Sequence, residues 1–108
     1  ARISVALGTR NGGAYVARQV ASILGQRPAP FELVVGDDDS SDDTLAIIER
    51  VHTETLAANA ELSTRLTIIR RRPALGVTAN FAATLAACKG ELIALSDQDD
   101  VWMPGKLA

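Results

Sequence analysis

The sequence predicts an α/β fold in three layers, with a mostly parallel sheet between helices on both faces. Short apolar runs typical of strands alternate along the chain with segments whose apolar residues have helical spacing. One helix separates each strand from the next, which implies right-handed crossovers and parallel pairing. Short connections of this hand favour the strand order 3-2-1-4.

Four short apolar runs are the predicted strands. Each stops at a glycine or at polar residues, which is typical of strands that lead into loops. The strands are expected at Ile3–Leu7, Phe31–Val35, Leu66–Ile69 and Leu92–Leu95. Because open α/β sheets bind their ligands beyond the carboxyl ends of the strands, we expect the functional site at that edge.

Three amphipathic helices are expected between these strands. Gly25 and Gly90 are the expected stops of the first and the third helix. The predicted inward residues are Val16, Val20, Ile23 and Leu24 in the first helix, Leu45, Ile48 and Val51 in the second, and Phe81, Leu85 and Cys88 in the third.

Length, charge and hydropathy narrow the classes of function. The 108 residues, 47% of them hydrophobic, predict one domain over residues 1–108 with a buried core. The net charge of −2 argues against a nucleic-acid partner, which would require a clustered basic surface. No apolar stretch approaches the roughly 18 residues of a membrane span, and a single cysteine excludes an internal disulfide framework.

An acidic run follows the fourth predicted strand. Asp97, Asp99 and Asp100 fall within four positions, where their charges repel one another unless a cation lies among them. A hard divalent cation fits such carboxylates, with water or phosphate oxygens as further ligands. The structural alternative is a solvated acidic turn. The location after a buried strand, with a second acidic cluster after another strand, favours the metal site.

A second acidic cluster follows the second strand. Carboxylates at Asp37 and Asp38 can accept hydrogen bonds from a nucleobase N–H or a ribose hydroxyl, and we favour this role for Asp38. The residues just beyond are expected to begin the second helix. Its predicted caps are Ser40 and Ser41, with Asp42 and Asp43 in the first turn.

The loop after the first strand is rich in glycine but lacks the dinucleotide-binding pattern. Its glycines at positions 8, 12 and 13 do not have the spacing Gly-x-Gly-x-x-Gly. Small residues would allow a base or a ribose to approach the backbone closely, and a tight strand-to-helix turn explains the pattern equally well.

Four further residues are interpreted as structural. Arg70, Arg71 and Arg72 could attract a diphosphate, but exposed charge runs are more often solvated, so a solvated strand end is favoured. Trp102 is expected to pack against the fold after the acidic run.

Taken together, these motifs resemble family 2 glycosyltransferases of the GT-A fold over nearly the whole chain. The family's Ser-Val-x-x-x-Thr-Tyr-Asn-Gly corresponds to Ser4–Gly12, and its Glu-Leu-Val-Val-x-Asp-Asp-Gly-Ser-Ser-Asp-x-Thr corresponds to Glu32–Thr44. Gly76, Asn80 and Ala86 match the family's third-helix motif. Gly90–Asp100 matches its terminal acidic stretch. Four motifs in the family's order make the resemblance specific.

The resemblance implies a nucleoside-diphosphate sugar donor and a Mn²⁺ or Mg²⁺ ion. By position, Asp38 would hold the base, and the pocket would be lined by Gly8 and Thr9, with Asn11 also on the nucleotide-sugar side. Asp97 would contact the ribose or the sugar. Asp99 would bind the metal that neutralises the departing diphosphate.

The resemblance also implies a reaction that inverts the anomeric centre, with a separate carboxylate base. We expect that base beyond Ala108, since the chain reads as the nucleotide-binding half of a longer enzyme. The stretch from Ser96 to Trp102 looks most like the rhamnosyltransferase-like branch, which decorates bacterial surface polysaccharides. The expected acceptor is a saccharide or a lipid-linked saccharide, and the expected location is the cytoplasm, at or near the inner face of the membrane.

Four residues depart from the family pattern: Ala74 stands where an asparagine is common, Ala79 stands where some relatives carry a basic residue, and the other two are Arg10 and Asp39. Arg10 replaces the usual aromatic residue, which changes base stacking or the shape of the pocket. Asp39 replaces a glycine that often has a positive φ, and aspartate tolerates this backbone better than most residues.

Two other functions are left open by the sequence. One is a non-catalytic module that binds nucleotide sugars. The other is a phosphoacceptor receiver domain, which also has a parallel sheet and paired acids. A receiver would need its phosphoacceptor after a middle strand and a late lysine, whereas here the acids recur after the second and fourth strands.

Overall fold

The computed structural model describes residues 2–96, 102–103 and 105–107 of the chain. Its strands are β1 (Ile3–Thr9), β2 (Glu32–Asp37), β3 (Arg65–Arg70) and β4 (Leu92–Ser96). Its helices are α1 (Val16–Leu24), α2 (Thr44–Ala58) and α3 (Val77–Ala86). Strands and helices alternate as the sequence predicts, with boundaries that differ by a few residues.

The four strands form one parallel sheet in the order β3-β2-β1-β4, which confirms the predicted order. In the central register, Leu7 of β1 is paired with Val35 of β2 on one side and with Ser96 of β4 on the other. Because all pairs are parallel, the carboxyl ends of the strands meet at one edge. The loops that carry the predicted site residues therefore lie together.

The two faces of the sheet differ in the size of their side chains. Val5 and Leu7 of β1, with Leu33 and Val35 of β2, face the apolar core formed with α1 and α2. Successive residues of a strand point to opposite faces, so the intervening residues face α3. On that second face both central strands carry glycine near their carboxyl ends, which allows α3 to approach the backbone closely.

The inner face of α3 is polar. Its buried residues are Asn80 and Thr84, so the prediction of an apolar inner face formed by Phe81, Leu85 and Cys88 is wrong. Asn80 Nδ2 donates to the backbone oxygen of Gly36 at 2.8 Å, and Thr84 Oγ1 donates to Asn80 O at 2.7 Å. At Gly36 of β2 the helix packs directly on the strand backbone, where polar groups find partners and a large apolar side chain does not fit.

The start of α2 also differs from the prediction. The helix begins at Thr44, with Asp43 at the N-cap, and Ser40 and Ser41 lie before it in the loop. Ser40 is buried and donates its N–H and its hydroxyl to Asp37. The predicted cap is therefore wrong because a partner on β2 outcompetes the helix end for this hydroxyl.

The amino-terminal end of the sheet is closed by a buried carboxylate. Glu32 is 4% exposed and accepts hydrogen bonds from Ser4 Oγ at 2.6 Å and from the N–H of Lys89 at 2.5 Å. Ser4 Oγ in turn accepts the N–H of Gly90. Burial raises the pKa of the Cys88 thiol, and the nearby negative charge of Glu32 raises it further. The thiol therefore stays protonated at neutral pH.

The two outer strands differ in character. In β3, Arg65 and Arg70 are exposed, whereas the side chains of Leu92, Ile93 and Leu95 in β4 are between 44% and 57% exposed. In the described part of the chain, no helix combines the length and the apolar character needed to cross a membrane.

The contact between α3 and β2 yields a stability prediction. A Cβ atom on Gly36 would overlap Thr84 Oγ1 and lie 2.8 Å from Asn80 Oδ1. We expect Gly36→Ala to lower the free energy of unfolding by about 1–3 kcal/mol, the usual cost of overpacking. Urea denaturation measures it. Adding Thr84→Ala should recover part of the loss, and equal stability of Gly36→Ala and wild type would contradict this packing.

Candidate functional site

A pocket of about 270 Å³ lies at the carboxyl edge of the sheet, between the ends of β1 and β2 and the start of α3. It brings together three of the predicted nucleotide-binding residues, which are far apart in the sequence. The lining residues are Gly8, Thr9, Arg10, Asp38, Gly76, Val77, Asn80 and Phe81.

The ring of Phe81 forms an apolar wall of this pocket. A Cβ atom on Gly8 would lie 3.3 Å from Phe81 Cε2, so the ring rests on the backbone of β1. Only a residue without a side chain allows this contact without displacement. From the sequence, Phe81 is expected on the core side of α3. Its position next to Asn80, which matches the family's third-helix motif, is the signal that could have indicated a role in the site.

Asp38 connects the end of β2 to the segment before α3. It is 3% exposed, and its two carboxylate oxygens accept the N–H of Leu75 at 2.7 Å and the N–H of Gly76 at 2.9 Å. Gly76 has a φ of +92°, a conformation that favours glycine. A carboxylate has about four acceptor positions, so Asp38 can accept a further N–H from a ligand in the pocket.

Asp37, the neighbour of Asp38, has a structural role. It is 1% exposed and accepts three hydrogen bonds: Thr9 Oγ1 at 2.7 Å, Ser40 Oγ at 2.5 Å and Ser40 N at 3.0 Å. These bonds join the ends of β1 and β2. Thr9 thus lines the pocket while its hydroxyl is directed to Asp37.

Asn11 joins the same two loops and is not among the residues that line the pocket. Its φ is +49°, its N–H donates to Ser40 Oγ at 2.9 Å, and its Oδ1 accepts the N–H of Ser41 at 2.8 Å. A nucleotide-sugar contact by Asn11 stays a prediction.

The loop after β1 is also hydrogen-bonded to the start of α2. Gly12 N–H donates to Thr44 Oγ1 at 2.9 Å, and Gly13 N–H donates to Asp42 Oδ2 at 3.0 Å. The hydroxyl of Thr44 also donates to Asp42, and this bond is the main cause that holds the pKa of Asp42 below its usual value. The loop after β1 is thereby fixed from both sides.

The three arginines at the end of β3, Arg70, Arg71 and Arg72, have different environments. Arg70 is exposed, Arg71 donates from Nε to Asn80 Oδ1 at 2.8 Å, and Arg72 lies 3.7 Å from Asp39. The predicted solvated strand end is therefore wrong for Arg71, which fixes the amide orientation of a pocket residue. Asp39 has a φ of +63°, as its replacement of the family glycine predicts.

The predicted metal ligand Asp99 lies outside the described residues, as does Asp97, which is predicted to contact the ribose or the sugar. Within residues 2–96, 102–103 and 105–107, no group of three or more histidine, cysteine, aspartate or glutamate side chains could hold a metal ion. Asp37 and Asp38 are both engaged by protein hydrogen bonds. Ser96, the last residue of β4, is in register with Leu7 of β1, so β4 ends at the carboxyl edge of the sheet.

The sequence matches the family described as Glycosyl transferase family 2 over residues 4–108. The chain belongs to this family. The fold agrees, since the same parallel sheet with helices on both faces is shared with solved glycosyltransferase structures. The narrower resemblance to the rhamnosyltransferase-like branch stays a prediction.

Three known proteins illustrate this family relationship. The chain is 29% identical over 106 residues to WfgD of Escherichia coli, UDP-Glc:alpha-D-GlcNAc-diphosphoundecaprenol beta-1,3-glucosyltransferase, covering 97% of the chain and 38% of WfgD. The S. aureus TarS structure with UDP has a TM-score of 0.75 and 25% identity over 92% of the chain and 28% of TarS. The Pyrobaculum calidifontis mannosyltransferase PcManGT, with GDP-Man and Mn²⁺, has a TM-score of 0.76 and 24% identity, covering 94% and 28%. The chain spans about a third of the length of the curated relatives it matches.

The contrast between Asp37 and its neighbours yields a second stability prediction. Asn at position 37 keeps the size but turns one acceptor into a donor, so at least one of three buried hydrogen bonds is lost. We expect Asp37→Asn to lower the free energy of unfolding by about 1–3 kcal/mol. The matched control is Asp39→Asn, where the lost ion pair is exposed and worth at most about 1 kcal/mol. Equal urea midpoints for the two variants would contradict the role of Asp37.

Proposed function

We propose that the protein transfers a sugar from a nucleoside-diphosphate sugar to an acceptor hydroxyl. The observation that carries this proposal is the pocket at the carboxyl edge of the sheet. Gly8, Thr9 and Asp38 come from different strands and line one pocket, as the resemblance to family 2 implies. TarS, a relative with the same fold, binds UDP.

The pocket has the chemistry that a nucleobase requires. The ring of Phe81 offers a flat apolar surface for stacking, and Asp38 offers an acceptor for a base N–H. Gly8 keeps the β1 side of the pocket free of a side chain. Arg10, in place of the family's aromatic residue, adds a planar cation at the rim, a group that also stacks on bases.

The metal belongs to the same proposal. We assign Mn²⁺ or Mg²⁺ to Asp99, with Asp97 on the ribose or sugar side. The support is that the described carboxylates near the pocket are engaged in protein hydrogen bonds, while β4, whose last residue is in register with Leu7 of β1, leads into the acidic run. When bound, the ion supplies Lewis-acid stabilisation of the leaving diphosphate.

The relatives support the proposed acceptor and the proposed role in polysaccharide synthesis. WfgD acts on a lipid-linked acceptor, and we propose a saccharide or lipid-linked saccharide acceptor in bacterial surface polysaccharide synthesis. Sugar transfer would proceed with inversion in the cytoplasm, with the base beyond Ala108 and a hexosyl or rhamnosyl donor. The described residues therefore account for donor binding alone.

We expect residues 1–108 to bind nucleoside diphosphates weakly and to transfer no sugar. Sugar transfer by this chain would contradict the assignment of donor binding alone to these residues.

The assignment of the base pocket predicts the effect of removing the Phe81 ring. Stacking of a base on an aromatic side chain is worth about 1–3 kcal/mol, so Phe81→Ala should weaken uridine, thymidine or guanosine binding roughly 5- to 150-fold. Calorimetric titration of the nucleoside and its diphosphate measures this. Tyr15→Ala, which removes a half-exposed ring outside the pocket, is the control. Similar affinities for both variants would place the base elsewhere.

The assignment of the metal predicts the effect of removing one charge. Asp99→Asn should abolish the increase in UDP, dTDP or GDP affinity that Mn²⁺ produces, because the side chain keeps its size but loses its charge. Wild type should also gain thermal stability with Mn²⁺ and nucleotide by mass action. Glu49→Gln removes an exposed carboxylate on α2 and serves as the control. Unchanged metal-dependent binding in Asp99→Asn would make the acidic run a solvated turn.

A further inference from the structure

The segment between β3 and α3 borders the pocket but contributes little to the apolar core. We call residues 72–76 the strap. All of them are exposed except Ala74, which is half-buried, and Leu75 is 52% exposed. Gly76 and the next residue, Val77, line the pocket. Because few apolar contacts hold the strap, its conformation depends on its polar contacts.

Both ends of the strap are fixed to regular structure. At one end the N–H of Arg71 donates to the backbone oxygen of Asp37 at 2.9 Å, which continues the pairing of β3 with β2. At the other end the backbone oxygen of Gly76 accepts the N–H of Asn80 at 2.9 Å. Asn80 is 3% exposed and is itself bonded to β2, so the sheet holds this end through α3.

Asp38 holds the strap between these two ends. Its carboxylate oxygens accept the N–H of Leu75 at 2.7 Å and the N–H of Gly76 at 2.9 Å. Arg72 adds an ion pair with Asp39 at 3.7 Å, which is weak because both side chains are exposed to solvent. Among the described residues, residues 72–75 make no other hydrogen bond. One carboxylate therefore determines whether the strap lies against the pocket.

Gly76 has the properties of a hinge. Its φ of +92° and ψ of 159° lie in a region of backbone conformation that is essentially restricted to glycine. A Cβ atom at this position would have no heavy atom within 4 Å. The glycine is therefore required by the backbone conformation and not by close packing, and the space around it leaves room for the strap to move.

We propose that the strap opens and closes the pocket, with Asp38 as its anchor and Gly76 as its hinge. The proposal rests on the proposed function, in which the nucleoside of the donor occupies this pocket. Gly76 and Val77 line the pocket while the strap is bound to Asp38. A nucleoside gains these contacts in the closed state alone, so its binding favours closure. Base recognition and closure thus take place at the same carboxylate.

Amide hydrogen exchange measured by NMR tests the strap without a ligand. The N–H groups of Leu75 and Gly76 should exchange at least about 10-fold faster than that of Thr84, because the strap opens without unfolding of the protein. Thr84 is fully buried within α3. Asp38→Asn should accelerate the exchange of Leu75 and Gly76 further, because it removes the charge and turns one accepting oxygen into a donor.

Two glycine variants separate the hinge from general stability. Gly76→Ala adds a methyl group in open space, so its effect comes from the backbone alone. It should accelerate the exchange of the Leu75 N–H roughly 5- to 150-fold, because alanine disfavours the closed conformation. Gly105→Ala is the matched control, since Gly105 has a φ of +86° and also has no heavy atom within 4 Å of an added Cβ. Exchange at Leu75 should be unchanged in this variant.

Ligand binding should slow the same exchange. Uridine, thymidine and guanosine are titrated by calorimetry, and the one that wild type binds most tightly is used. At about ten times its Kd, the exchange of Leu75 and Gly76 should slow about 10-fold, because only the closed state binds it. Leu62 is the control and should keep its rate, since its N–H is bonded to the backbone oxygen of Asn59 at 3.0 Å in the loop before β3.

Three outcomes would overturn the proposal. The first is exchange of Leu75 and Gly76 as slow as that of Thr84. The second is equal exchange of Leu75 in Gly76→Ala and Gly105→Ala. The third is unchanged exchange of Leu75 in the presence of a nucleoside that calorimetry shows to be bound. Failure of the proposed function is distinct, because wild type would then bind no nucleoside while exchange in the ligand-free strap still responded to changes at Asp38 and Gly76.

Discussion

The close approach of α3 to the backbone of β2 is the constraint on which the site depends. Gly36 allows it, because any side chain there would collide with Thr84. Asn80 then reaches the backbone oxygen of Gly36, and the next residue of the helix, Phe81, comes to rest on Gly8 of β1. The pocket exists because two glycines in adjacent strands admit a helix with a polar inner face.

Alternation along β2 gives its two consecutive aspartates different roles. Asp38 shares the α3 side of the sheet with Gly36, and it meets the pocket and the N–H groups of residues 75 and 76. Asp37 points to the other side, where Thr9 and Ser40 satisfy it. A period of two is thus sufficient to separate a carboxylate that lines the pocket from a structural one.

The two faces of the sheet contribute different parts of the proposed donor site. The α3 face supplies the pocket that is proposed to bind the base, through Gly8, Asp38 and Phe81. The α1 face holds the end of β4, through Gln19 and Ser96, which is in register with Leu7 on the same face. The pocket and the end of β4 are therefore supported by separate contacts.

The sequence by itself determined the alternation of strands and helices, the strand order, the acids at the strand ends, the left-handed backbone at Asp39 and the burial of Trp102. These follow from local chemistry: apolar periodicity, turn residues and short right-handed connections. It placed Gly8, Thr9 and Asp38 at one edge and favoured Asp38 over Asp37 for the ligand, but it did not predict the hydrogen bonds of Asp37 to Thr9 and Ser40. Only the tertiary structure decided that Ser40 serves β2 instead of capping α2, that α3 packs through Asn80 and Thr84, and that Arg71 orients Asn80. Each of these outcomes is a competition among hydrogen-bond partners brought together by folding, and that competition leaves no periodic trace in the chain.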